Sequence, residues 1–111
     1  MDILVADAAR LDEFLDAYEQ SELDEDDRFA LMELIIASLD RGKEDGVDIG
    51  NSWRRAEAFL RRDGRLHAVT LSYWARGEDP DPDPQFAITP EVRGVWNEAR
   101  PRLLRERGGA K

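Results

Sequence analysis

The chain has no cysteine, a single histidine, and no apolar run long enough to cross a bilayer. Without cysteine there is no disulfide framework and no thiolate metal site. Catalytic triads and most zinc sites need histidine held by a fixed partner. His67, beside Tyr73 and Trp74, reads instead as a packing or surface residue. The longest apolar-rich stretch, Asp27 to Asp40, carries charges inside it. It falls short of the roughly 20 apolar residues of a membrane helix.

Two further absences narrow the chemistry. Gly42, Gly46 and Gly50 are spaced by four and are not followed by Lys-Ser or Lys-Thr, so no phosphate-binding loop is present. No serine sits in a Gly-x-Ser-x-Gly elbow. Asp79, Asp81 and Asp83 alternate like the first ligands of a calcium loop, but its sixth and twelfth positions are Pro84 and Pro90 instead of Gly and Glu. The expectation is therefore no catalytic residues, no cofactor and no metal site.

Positive charge is scarce where negative charge is dense. Residues 1–48 carry 16 acidic and 4 basic side chains, a net of −12, within a chain whose total is −9. Residues 49–76 carry a net of +4. A polyanionic partner, whether nucleic acid or anionic membrane, is disfavoured by such a field, and a basic protein is favoured. Arg54, Arg55, Arg61 and Arg62 share one face of a helix whose other face holds Trp53, Ala56, Phe59 and Leu60. That basic face balances the acidic half within the domain. Met1 to Asp7 is short and acidic, unlike the basic start and long apolar segment of a secretion signal, so a cytoplasmic location is expected.

What is present reads as one domain over 1–111, with a frayed tail from 105 to 111. Leu11, Phe14, Leu15 and Tyr18 follow the i, i+3, i+4, i+7 spacing of a first helix capped by Asp7. The central helix has Phe29, Met32, Ile36 and Leu39 on one stripe, with Leu31, Leu34 and Ile35 beside it. Asp24 to Asp27 start it, and Gly42 suits a left-handed cap at its end. Asn51 or Ser52 caps the third helix, and Asp63-Gly64 stops it.

Residues 66–75 fit a helical face through Leu66, Val69, Thr70, Tyr73 and Trp74, and they also fit an alternating strand. A strand here has only Phe86-Ala87-Ile88 to pair with, and a lone hairpin is marginal, so helix is preferred. Gly77 to Gln85 is a stiff acidic loop, because its alternating prolines bar helix and sheet. Thr89-Pro90-Glu91 starts a last helix that Pro101 kinks or ends.

The expected fold is a compact all-α domain of four to five short helices around a central buried one. The alternative is α+β with a small hairpin at 66–75 and 85–89. Phe29, Met32, Leu34, Ile35, Ile36, Leu39, Trp53, Leu60 and Trp96 are the expected core. The expected function is non-enzymatic binding of a basic protein partner, as by an inhibitor or immunity-type protein, with Asp16, Glu19, Glu25 and Asp26 as contacts. The alternative is a structural or accessory domain acting through homo-oligomerisation, so the chain is expected as a monomer or homodimer.

Overall fold

The structure, a computed structural model, describes residues 8–20, 22–75 and 86–108, apart from the side chains of residues 8, 100 and 102–108. Within them the chain forms five helices and no strand: α1 (Leu11–Tyr18), α2 (Glu25–Glu44), α3 (Gly50–Arg62), α4 (Ala68–Ala75) and α5 (Thr89–Gly108). A 3-10 turn, Ala8–Arg10, leads into α1. The expected cap at Asp7 and the acidic proline loop with Asp79, Asp81 and Asp83 lie outside the described residues.

The all-α expectation holds, and the preferred helix at 66–75 is α4. Phe86-Ala87-Ile88, the only available strand partner, is instead a turn that feeds α5: the Thr89 amide donates to the Phe86 carbonyl at 3.1 Å.

The apolar spacing of α1 buries Leu11, Phe14, Leu15 and Tyr18. They meet Met32, Ile35, Ile36 and Leu39 of α2, all with no exposed surface. Ala56, Phe59 and Leu60 of α3, Leu71 and Ala75 of α4, and Ile88, Val92 and Val95 complete one core. Four expected core residues, Phe29, Leu34, Trp53 and Trp96, are only partly buried. They sit at the shoulders of their helices, and smaller residues such as Ala56 and Val92 take the centre.

Helix ends account for most corrections to the sequence reading. Asp24 opens α2, its Oδ1 accepting from the Asp27 amide at 2.8 Å, and Glu25, Asp26 and Asp27 fill the first turn. Gly42 does not end α2; it is buried within it. Gly46 is the left-handed residue, at φ +83°. The Gly46 amide donates to the Lys43 carbonyl and the Val47 amide to the Gly42 carbonyl, the paired bonds of a Schellman stop. Lys43 in the extra turn reaches Glu91 of α5 at 2.6 Å.

Neither Asn51 nor Ser52 caps α3. The N-cap position is Ile49, which offers no side-chain cap, and Asp48 just before it accepts from the Gly50 amide at 3.0 Å. The Thr89 hydroxyl, at the start of α5, donates to the Trp74 carbonyl at 2.8 Å, and Arg93 Nε donates to the Ala75 carbonyl at 2.9 Å. Both satisfy carbonyls at the end of α4, which packs most extensively on α5. Pro101 does not end α5, which runs to Gly108. The proline frees the carbonyl four residues earlier, at Asn97, and both residues are exposed to solvent that can satisfy it.

Candidate functional site

The four expected contact residues divide into two pairs. Asp16 and Glu19, on the outer side of α1, share the Arg55 guanidinium of α3. Arg55 Nη2 donates to Asp16 Oδ1 at 2.9 Å and also to Glu19. Their side chains remain 71% and 54% exposed, so the pairing is a surface one, worth about 0–1 kcal/mol. Glu25 and Asp26 lie exposed in the first turn of α2, where the unpaired amides and helix dipole favour negative charge. Among the described residues neither has an ion pair, and no shared cation links them to Asp16 and Glu19. Glu25 borders a cleft of about 370 Å³ that is otherwise lined mainly by Arg28, Arg61, Arg62, Asp63 and Arg65.

The basic face of α3 is largely neutralised within the domain. Besides Arg55, Arg61 reaches Glu57 at 2.9 Å and Glu98 at 2.5 Å, and Arg62 reaches Asp63 at 3.0 Å. Arg62 also lies over the rings of Tyr18 and Phe59 at 5.9 and 5.4 Å.

Beneath it lies a polar network that sequence reasoning missed. The Tyr18 hydroxyl donates to Asp63 Oδ2 at 2.7 Å and stands 2.7 Å from His67 Nε2. A phenol has one proton, and an ionised carboxylate can only accept, so that proton goes to Asp63. His67 must then carry its hydrogen on Nε2 and donate to the phenol oxygen. Nδ1 is left buried without a partner among the described residues.

Burial pushes the imidazole down to about 4 against the opposing charge of Asp63, so it is neutral near pH 7. Burial opposes ionisation of Asp63 as well, but hydrogen bonds from Arg62 and Tyr18 hold its carboxyl below the usual range. Burial and the Asp63 bond push the Tyr18 phenol up. His67 and Tyr18 have 0% and 1% of their surface exposed. Tyr18 and His67 are closed to solvent while Asp63 borders the Arg-lined cleft, and the network ties α1 to the α3–α4 turn.

A second feature is a shallow groove of about 370 Å³ between α2 and α4, lined by Phe29, Glu33, Val69, Thr70, Tyr73 and Trp74. Val69 is 74% exposed and Tyr73 57%. The sequence reading placed Val69 and Tyr73 on the packed face of this helix. The face that packs is Thr70, Leu71 and Ala75. Tyr73, Trp74 and Phe86 form an aromatic cluster with ring centroids 4.6 to 5.6 Å apart, which fixes the groove wall. The available signal was that α4 is apolar nearly all round, so a helix packed on one side must leave apolar groups outside.

Among the described residues no three His, Asp or Glu side chains gather as metal ligands would, and no helix is long and apolar enough to cross a membrane. No protein-family model, curated protein or solved structure matches this chain.

Proposed function

We propose that the chain is a non-enzymatic protein-binding domain whose acidic surface docks a basic face of a partner protein, in the manner of an inhibitor or immunity-type protein. The observation that carries this reading is the division of the ion pairs. Arg55, Arg61 and Arg62, three of the four arginines on the polar face of α3, are spent within the domain. Glu25, Asp26, Asp27 and Glu33 of α2 are exposed and have no ion pair among the described residues. The charge exposed without an ion pair in the first half of α2 is therefore negative, with the half-buried Arg28 as the one cation among it. Asp16 and Glu19 extend the surface, since they stay mostly exposed while holding Arg55. Unpaired rim charges steer association more than they add affinity.

The experiment is charge reversal at Glu25 and Asp26, measured against the partner recovered from the native host at two salt concentrations. The association rate should fall and its salt dependence should flatten. Undiminished association, together with loss of binding when Arg54 and Arg55 are changed, would place the binding surface on α3.

Self-association is the second reading. The exposed Val69 and Tyr73 favour it, because large apolar groups grouped at a surface mark interaction sites. Sedimentation of the purified chain separates the two: a monomer supports the first, a dimer the second.

A further inference from the structure

The groove between α2 and α4 has the features of a seat for another chain. We propose that it holds an apolar side chain of a basic amphipathic helix on the partner protein; this rests on the reading of a basic partner given above. Its floor and walls come from Phe29, Val69, Tyr73 and Trp74, and its volume of about 370 Å³ leaves room for a large aliphatic or aromatic side chain. Thr70, 1% exposed, lines it with an Oγ1 that has no partner among the described residues.

Glu33, the one charged residue among the described lining, sets the charge of the occupant, and Asp26 adds to it from two turns earlier on the same helix. Asp26 and Glu33 are exposed and seven residues apart, so they stand on one stripe of α2, with Phe29 and Ala30 between them. Seven residues rise roughly 10 Å along the axis. A helix with lysine or arginine at a similar spacing, flanking an apolar face, matches both the rim and the floor. Docking a helix between two helices is a common recognition mode. A second copy of this chain is a poorer occupant. A two-fold interface sets the same patch against itself, which brings Asp26 and Glu33 toward their own copies.

The test uses synthetic helical peptides and amide NMR shifts of the intact chain. One peptide has leucine at i, i+3, i+4 and i+7 with lysine elsewhere. A second replaces the leucines by alanine, and a third replaces the lysines by glutamate. The Leu–Lys peptide should bind about tenfold or more tighter than the Ala–Lys peptide, a difference readily read from titration. Its shifts should centre on Phe29, Glu33, Val69 and Tyr73. Val69→Asp should cut its affinity about tenfold with an unchanged melting temperature, as expected of an exposed site. Glu33→Lys should weaken binding more at low salt than at high salt.

Equal binding of the Leu–Lys and Ala–Lys peptides would overturn the groove while leaving the acidic-surface reading intact. Equal binding of the Leu–Glu peptide would overturn the basic partner and that reading with it. Two results would assign the groove to other occupants and so overturn the proposal. One is a dimer that Val69→Asp dissociates. The other is a shift of groove resonances when residues 2–7 are deleted.

Discussion

His67 should make the fold acid-sensitive in a defined pH window. Its imidazole has no exposed surface and donates to the Tyr18 oxygen, while Nδ1 lacks a partner among the described residues. Burial lowers its proton affinity from an ordinary 6.5 to about 4. A folded state that binds its proton more weakly than the unfolded state loses stability as pH falls. Between the two values the unfolded chain holds the extra proton, so stability is full above about 6.5 and declines towards about 4. One proton is worth about 1.4 kcal/mol per pH unit, which over this window comes to roughly 3 kcal/mol.

Carboxylates titrate nearby, so the measurement must isolate the imidazole. Asp63 is lowered and contributes stability that is lost only further down, as pH falls through its folded value. Denaturant unfolding of the wild type and of His67→Gln at pH 7, 6, 5 and 4 does this. The variant will be weaker throughout, because it disturbs the bond to Tyr18, but its profile should be flatter by roughly 3 kcal/mol across the window. Profiles that run parallel within about 0.5 kcal/mol would refute the argument, as would an imidazole that titrates by NMR near its ordinary 6.5.

Other outcomes follow from the same structure. Leu39→Ala deletes a side chain with no exposed surface at the middle of the core and should cost about 2–5 kcal/mol in denaturant unfolding; a loss under about 0.5 kcal/mol would contradict its placement. Gly46→Ala forces a side chain into the left-handed region at φ +83° and should destabilise by about 1–2 kcal/mol. Gly94→Ala should do the opposite. It adds a methyl with nothing within 4 Å on the exposed side of α5 and should stabilise by about 0.5–1 kcal/mol.

Local signals read well and long-range ones did not. The stripe of Phe29, Met32, Ile36 and Leu39 is a pattern within a few turns; Met32, Ile36 and Leu39 are buried as it requires, with Ile35 beside them, and Phe29 at its upper end is only partly buried. The end of α2 was misread because Gly42 follows the apolar run closely, whereas Gly46 follows the polar Lys43-Glu44-Asp45. Only the buried packing of Gly42 and the reach of Lys43 to Glu91 select the later one. The start of α3 at Gly50 was missed because its N-cap position is Ile49, which has no capping side chain, while Asn51 and Ser52 are good caps by residue type. Asp63 read as a stop signal and His67 as packing, but the phenol that joins them lies 45 and 49 residues away. No local spacing marks such a triplet.

The candidate surfaces divide in the same way. The acidic character of residues 1–48 is a property of composition, and it stands whatever the packing. Which acids stay uncompensated is not: Asp16 and Glu19 meet Arg55 only because α1 and α3 lie together. Residues 66–75 alone support helix and strand alike, and the all-round apolar helix they form has no preferred inner face. Contact with α5 buried Thr70, Leu71 and Ala75, and so Val69 and Tyr73 were left outside. The presence of α1, α2, α3 and α5 and the acidic balance were determined by the sequence itself, because apolar periodicity acts within one or two turns and net charge does not act through geometry at all. The Tyr18–Asp63–His67 network, the neutralised arginines and the open groove were decided by tertiary structure. Each depends on which helix surfaces meet, and burial is a property of the pair.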